Sequence, residues 1–343
     1  MNDKNAKTIH ITSPRNAVQV RLNSGVILEG AINTTAEAFL HNAKNEGLLE
    51  NSYLLVACIC NGKLRELTYP IQYDSTLAPV TLEDSDGARI YRRSLILMMT
   101  TAIDELFPTT KVNVSYAVPD GGFYCEITNR QPLTISELNT LEAHMQDMVA
   151  QDIPITKRSV PLIEAIALFK SRNEYDKVRL MQFRDSDILT LYQLNDREDY
   201  YYGYMVPSTT YLQKFKLIHS DEGFIMQYPR TSNPEVLGEV STAHKLIDVF
   251  HETDNWLTLM NIEDIGRLNT FIEQKHIQEI ILIAEALHEQ RVTRIARQIV
   301  EQHQTNRTRV VLIAGPSSSG KTTFAKRLAI QLLAYGLHPF TLE

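Results

Sequence analysis

Cysteine is scarce in this chain, which excludes a disulfide framework as the basis of its stability. Only Cys58, Cys60 and Cys125 occur in 343 residues. Such sparse use is typical of the reducing cytoplasm, where we expect the protein to reside. Cys58 and Cys60 lie two residues apart, on one face of a predicted strand. Because no further cysteine or histidine follows at metal-ligand spacing, we interpret them as buried thiols rather than a metal or redox pair.

Long apolar runs and an excess of positive charge are missing as well. No run of eighteen apolar residues exists, and the polar N-terminus lacks the apolar core of a signal peptide. The sequence therefore predicts neither a membrane span nor secretion. The formal net charge is −7 at pH 7, so no general polyanion-binding surface is implied. The length is sufficient for two or three domains.

Residues 1–82 carry the signals of a small mixed module. Two alternating runs flank the turn residues of "NSG", and two apolar runs flank Asn61-Gly62, a strong hairpin signal. Between them, Thr34 and Glu37 have capping-box spacing, and Gly47 stands where a helix ends. The order ββαββ predicts a β-grasp domain.

Residues 83–240 predict a second α+β module. A helix with apolar residues at helical spacing is ended by Pro108, and a hairpin turns near Asp120. Thr134 and Glu137 form a predicted capping box. The tyrosine-rich stretch "DREDYYYGYMVPSTTY" favours strands whose rings pack a sheet, although exposed tyrosines can also stack on bases.

Residues 241–305 predict a helical connector, and residues 306–343 predict the start of a nucleotide-binding domain. The connector carries a broad apolar stripe. Its members are Ile277, Ile281, Ala284, Leu287, Ile295 and Ile299. The run "VVLIAG" that follows is typical of a buried parallel strand.

The pattern G-x-x-x-x-G-K-T begins at Gly315, after this predicted strand and before a predicted helix, which is the context that a phosphate-binding loop requires. Gly320 permits a tight turn, and Lys321 would reach the β- and γ-phosphates of ATP or GTP. The Thr322 hydroxyl would complete a Mg²⁺ shell. The predicted nucleotide-binding residues are Gly315, Pro316, Ser317, Ser318, Ser319, Gly320, Lys321, Thr322 and Thr323.

Only 23 residues follow Gly320, whereas such a domain has further strands and an acidic residue that helps to hold Mg²⁺. We therefore expect the chain to be a truncated piece of a longer protein and to be catalytically incompetent on its own.

The first 240 residues resemble the N-terminal half of threonyl-tRNA synthetases. "CNGKLRELTYPI" from Cys60 is similar to text of their TGS β-grasp domain, and "DGGFYCEI" from Asp120 is similar to their following hairpin. On the intervening helix that family has two histidines, where this chain has Arg93 and Leu97. Arginine and leucine can neither bind a metal nor transfer protons as a histidine pair does, so the resemblance implies no editing of mischarged tRNA.

The join of such a front half to a phosphate loop resembles bacterial uridine kinase-like nucleoside kinases, relatives of phosphoribulokinase. That resemblance implies phosphoryl transfer from ATP or GTP, with Mg²⁺, to a hydroxyl of a nucleoside, with uridine the leading candidate. It leaves the acceptor pocket and the oligomeric state undefined, and a homo-oligomer is conceivable.

Other interpretations remain open. The chain could be an RNA- or nucleotide-binding regulatory module in which the phosphate loop acts as a switch. Arg92, Arg93, Lys63 and Arg65 could contact RNA phosphate, although a solvated charged face is the more common role of such residues. A free-standing editing hydrolase is disfavoured by Arg93 and Leu97.

Overall fold

A computed structural model describes residues 15–49, 53–119, 121–220, 222–240 and 244–342. These residues form two compact units, one from Met1–Leu168 with Asp185–Val249 and one from Phe169–Arg184 with Phe250–Glu343. The first unit combines sheets and helices and the second is helical, so the predicted α+β class is confirmed at that level.

The first unit begins with a five-stranded mixed sheet. Its strands are β1 Ala17–Leu22, β2 Ile27–Ala31, β3 Leu55–Cys60, β4 Lys63–Arg65 and β5 Ser75–Thr81. They are arranged in the order β2-β1-β5-β3-β4, with β1 parallel to β5 and the other neighbours antiparallel. Helix α1 (Ala36–Asn45) covers the sheet, and its Phe39 ring lies so close to Gly30 that a Cβ there would be 2.6 Å from the ring.

Local turn chemistry explains two features of this sheet. Asn61 and Gly62 both have positive φ, at 49° and 75°, which confirms the predicted hairpin between β3 and β4. The predicted capping box at Thr34 is wrong by one residue. Thr35 caps α1 by accepting from the Ala38 N–H, while the Glu37 carboxylate accepts from the Tyr211 hydroxyl instead.

Helices α2 (Ser85–Leu106) and α3 (Ile135–Ala150) lie between this sheet and the strands that follow, and both pack their apolar faces into one core. The end of α2 before Pro108 and the capping box of Thr134 with Glu137 are as predicted. A four-stranded sheet has the order β11-β12-β7-β6 and a three-stranded sheet the order β10-β9-β8. Their strands are β6 Val112–Val118, β7 Gly122–Ile127, β8 Thr156–Pro161, β9 Ile188–Leu194, β10 Arg197–Tyr200, β11 Lys216–Ser220 and β12 Gly223–Gln227. Helix α4 (Leu162–Ser171) follows β8.

The core of the first unit also buries all three cysteines. Burial, with a smaller contribution from Cys60, raises the pKa of the Cys58 thiol to about 12. Burial likewise raises the pKa of Cys125. A thiol with a raised pKa is a poor nucleophile, so these side chains behave as apolar core groups.

The second unit consists of α5 Tyr175–Met181, α6 His244–Leu259, α7 Ile265–Glu273, α8 Ile277–Asn306 and α9 Lys321–Ala334. Helices α5 and α7 pack together, and Arg179 on α5 is paired with Asp264, the N-cap of α7. Glu252 on α6 accepts from Arg291 and Arg294 on α8. Within the described residues no helix is long and apolar enough to cross a membrane.

The predicted apolar stripe of α8 is only partly covered: Ile277, Leu287 and Ile299 are half-buried, and Ile299 packs against the cluster shared with α9. Ile281 is 45% exposed and Ala284 is also exposed. The two fully buried positions are Val292 and Ala296, which face α9. The helix meets a neighbour along only part of its 30 residues, so a periodic apolar pattern does not by itself place a residue in a core.

Candidate functional site

The segment 315–320 forms an irregular loop that runs directly into α9. Ser318 and Gly320 both adopt left-handed backbone conformations, with φ of 61° and 80°. Gly320 is the N-cap of α9, and the Phe324 N–H donates to its carbonyl. Left-handed residues are typical of the turns in which backbone N–H groups can bind an anion, and here the Ser319 N–H donates to the Pro316 carbonyl at 3.4 Å.

Lys321 is the first residue of α9, and its side chain folds back over the loop. Its Nζ donates to the Pro316 carbonyl at 2.6 Å. A Cβ on Gly315 would lie 2.8 Å from the Ser319 Oγ and 3.5 Å from the Lys321 Cγ. The loop is therefore compact, and glycine at 315 permits its close approach to the lysine stem.

The remaining predicted loop residues are solvent-exposed. Ser317, Ser318, Ser319, Thr322 and Thr323 all belong to this exposed set. Among the described residues, no group of three or more histidine, cysteine, aspartate or glutamate side chains lies together as a metal site.

The strand predicted ahead of the loop is not formed. Residues 310–314 have no strand partner among the residues that the structure describes, and Val310 and Leu312 are 73% and 89% exposed. A parallel strand is stabilised by neighbours on both edges and by cover on both faces. Without them, a local apolar run cannot form a sheet element.

Helix α9 is held instead by α8. Leu328 and Leu332 pack against Val292 and Ala296 in a small apolar cluster. Glu289 on α8 accepts a hydrogen bond from Gln331 at 2.7 Å and pairs with Arg327 at 3.5 Å. The apolar face of α9 is therefore covered by the helical connector, and this pairing supports the loop.

A second candidate site lies in the first unit, at Arg93 and Leu97 on helix α2. Leu97 is fully buried in the core of α2. Arg93, one turn earlier, is half-buried and donates through Nη1 to the Tyr204 carbonyl at 2.6 Å. The two side chains share a helix face but offer no proton-transfer or metal-binding pair.

Glu66 lies beside this position and was missed by sequence reasoning. Its buried carboxylate accepts from the Tyr192 hydroxyl, from the Met205 N–H at 3.2 Å, and from Lys157 Nζ. Burial, together with the hydrogen bond to Glu66, raises the pKa of Tyr192. The partners are about 90 to 140 residues away in sequence, so no local pattern marks Glu66 as buried.

The tyrosine-rich stretch divides between packing and exposure. Tyr211 is buried and gives its hydroxyl to Glu37. Tyr202, by contrast, is 87% exposed. Tyr211 is thus packed as expected, although it lies in the 3-10 turn Thr209–Tyr211 and not in a strand, and Tyr202 keeps an accessible ring.

Comparison with known proteins shows a threonyl-tRNA synthetase-like region. The chain is 33% identical over 165 residues to threonine–tRNA ligase of Nitratidesulfovibrio vulgaris, which covers 48% of this chain and 26% of the ligase. It is 31% identical over 204 residues to the Desulforamulus reducens ligase, which covers 59% of this chain and 31% of the ligase. The Polaromonas naphthalenivorans ligase is 35% identical over 159 residues, with 46% and 25% covered.

The chain therefore spans between a quarter and a third of the length of these curated relatives. No protein-family model matches it.

Proposed function

We propose that the loop 315–323 binds the phosphates of ATP or GTP as part of a nucleoside kinase of the uridine kinase type. The supporting observation is the loop itself, in which a backbone with two left-handed residues leads into the N-terminus of α9 with Lys321 above it. Both the backbone N–H groups of such a turn and the positive end of the helix dipole favour phosphate at this point.

The residues present fit a nucleoside triphosphate with Mg²⁺. Gly320 has a positive φ that a residue with a side chain rarely adopts, and Gly315 admits the Ser319 hydroxyl at close range. Lys321 would exchange its bond to the Pro316 carbonyl for the β- and γ-phosphates, where its charge stabilises the transferring group. Thr322 would supply the hydroxyl ligand of Mg²⁺.

We further propose that this 343-residue chain binds nucleotide weakly and does not turn it over. None of the residues assigned above binds the base or accepts the proton of an acceptor hydroxyl. In such a kinase those roles, and an acidic partner for Mg²⁺, belong to later parts of the sheet domain.

For the remaining residues we propose a TGS-like β-grasp domain at 1–82, a synthetase-like module at 83–240, a helical connector at 241–305 and the start of a kinase domain at 306–343. With Arg93 and Leu97 at the histidine positions, the synthetase-like part would not hydrolyse mischarged tRNA. A regulatory role in binding RNA or a nucleotide is the second candidate, and tRNA stands in the name of the relatives, threonine–tRNA ligase.

Calorimetric titration of the chain with Mg·ATP tests the proposed kinase loop. We expect weak binding without turnover, and a loss of roughly tenfold or more in affinity for Lys321→Ala, because a charge-assisted contact is removed. Lys326→Ala, an exposed lysine on the same helix, is the matched control and should leave affinity unchanged.

Two outcomes would contradict the proposal. Equal affinity of the wild-type chain and of Lys321→Ala for Mg·ATP would show that the loop does not bind the phosphates. Micromolar binding with turnover of ATP would show that the chain needs no further kinase residues. Binding of RNA with no response to Mg·ATP would favour the regulatory alternative.

A further inference from the structure

Tyrosine rings and cationic side chains follow one another in a row on the first unit. Arg65, on the edge strand β4, lies at the centre of this row. Its guanidinium is 5.3 Å from the centre of the Tyr69 ring, and its Nη1 donates to the Tyr204 hydroxyl at 3.2 Å. Lys157 Nζ in turn lies 5.6 Å from the centre of the Tyr204 ring. Each of these side chains therefore lies against the next.

Tyr73 extends the row beyond Tyr69 and gives it an accessible end. Interaction with Tyr69 raises the pKa of the Tyr73 phenol, and the nearby Arg65 guanidinium lowers it by less, so these three groups lie close together. The Tyr73 side chain is 58% exposed. At the other end, the exposed Tyr202 is two residues from Tyr204 in the same loop. We call the following five side chains the tyrosine–cation row: Arg65, Tyr69, Tyr73, Lys157 and Tyr204.

The tyrosine–cation row carries positive charge that the protein does not neutralise. Among the described residues, both oxygens that accept hydrogen bonds from Arg65 are uncharged. Lys63 is exposed two residues earlier on β4, which places it on the same face of the strand as Arg65. Lys157, by contrast, is paired with Glu66. Lys63 and Arg65 therefore provide a local surplus of cations on a chain whose formal net charge is −7.

The tyrosine–cation row is held in place by contacts that need no ligand. Arg65 belongs to β4, whose backbone pairs with β3. The Tyr204 carbonyl accepts a hydrogen bond from Arg93 Nη1 at 2.6 Å. The next residue, Met205, donates its N–H to the buried Glu66 carboxylate at 3.2 Å. Side chains that are fixed in this way lose little conformational freedom when a ligand binds.

Alternating rings and cations match the chemistry of a single-stranded nucleic acid. Every base has a flat face that can stack on an aromatic side chain, and the phosphates between the bases attract lysine and arginine. In a duplex the base faces are covered by neighbouring base pairs, so exposed rings have no base on which to stack. The row leads from Tyr73 to Lys157 through three further side chains, which suits an extended strand better than one mononucleotide.

We propose that the tyrosine–cation row binds a single-stranded nucleic acid, whose bases stack on Tyr73 and Tyr202 and whose phosphates contact Lys63 and Arg65. This proposal rests on the second candidate function given above, the binding of RNA or a nucleotide, and is independent of the loop at 315–323. Because every base can stack on tyrosine, we expect little preference for sequence.

Fluorescence anisotropy of a labelled oligouridylate of about twelve nucleotides tests the proposal on the full chain. We expect saturable binding, and much weaker binding of an RNA duplex of the same length. Oligothymidylate separates DNA from RNA, and tighter binding of either single strand than of the duplex supports the proposal. Arg65→Gln should lower the affinity about tenfold and reduce the slope of log affinity against log salt by about one, because one phosphate contact is lost. Tyr73→Ala should lower the affinity about tenfold with an unchanged slope, because only stacking is lost.

Arg21→Gln and Tyr175→Ala are the matched controls, because both side chains are exposed but lie outside the row, on β1 and on α5. Both should bind oligouridylate like the wild-type chain. Lys321→Ala should do so too, which separates a failure of this proposal from a failure of the kinase loop to bind Mg·ATP. Thermal unfolding identifies a variant that does not fold, and the exposed Tyr73 then decides. The proposal is overturned by an absence of saturable binding, by equal affinity for duplex and single strands, or by wild-type binding of Tyr73→Ala and of a folded Arg65→Gln.

Discussion

The two units support their candidate sites in different ways. In the first unit, Arg93 and Leu97 stand on a helix with thirteen buried residues, inside a core that continues through α1, α3 and three sheets. In the second, the candidate loop at 315–320 is attached to α9, which buries only Leu328 and Leu332. A site on a densely packed scaffold is held by many non-local contacts, whereas a loop on a two-helix pair depends on local backbone geometry.

The largest expected effect comes from removing the same side chain in each core. Leu97→Ala should lower the free energy of unfolding of the first unit by about 3 kcal/mol, because its closed core cannot collapse around the cavity. Leu328→Ala should cost the second unit about 2 kcal/mol, the low end for a buried leucine, since a small cluster relaxes more readily. Hydrogen exchange read by mass spectrometry measures the stability of each unit separately, whereas a single unfolding transition does not separate the two units. Equal costs would refute the contrast between the two cores.

The next effect tests whether the buried carboxylate holds the first unit together. Glu66→Gln keeps the shape but removes the charge that accepts from Tyr192 and pairs with Lys157, so we expect a loss of about 2 kcal/mol. Glu29→Gln, on an exposed strand position, should change stability by less than about 0.5 kcal/mol. Urea unfolding followed by tyrosine fluorescence provides the comparison, and a neutral Glu66→Gln would argue against a structural role.

The smallest effect concerns pH and the second unit. Burial raises the pKa of Asp264, but the stronger combined influence of Arg179 and the Arg267 N–H holds it below its ordinary value. A carboxyl with a lowered pKa contributes stability that is complete above its unfolded value, about 3.9, and is lost as the pH falls through the folded value. Helices α5 and α7 should therefore be less protected in acid, when the exchange rate of each amide is compared with its intrinsic rate at the same pH.

Asp264→Asn isolates this contribution, because asparagine still caps α7 but carries no charge. The wild-type chain should be more protected than the variant at pH 6, and the difference should shrink below pH 4. A difference that is constant with pH would mean that the pairing with Arg179 adds nothing.

Local signals were the part of the fold that the sequence could predict. The Asn61-Gly62 hairpin and the Thr134 capping box depend on residues within a few positions of each other. The strand at 310–314 was wrong because its formation depends on distant neighbours. That the loop at 315–323 binds phosphate stays a prediction from its motif, whereas the hydrogen bond from Arg65 to the Tyr204 hydroxyl joins residues 139 positions apart and no local pattern marks it.

The cysteines give the chain a built-in chemical reporter. All three lie in the first unit, in the buried interior, and the second unit has none. A thiol-specific reagent can therefore modify the chain only when the first unit opens, since all three thiols are shielded from solvent. The rate of alkylation therefore measures how often that unit opens, and the measurement needs no label, tag or substitution.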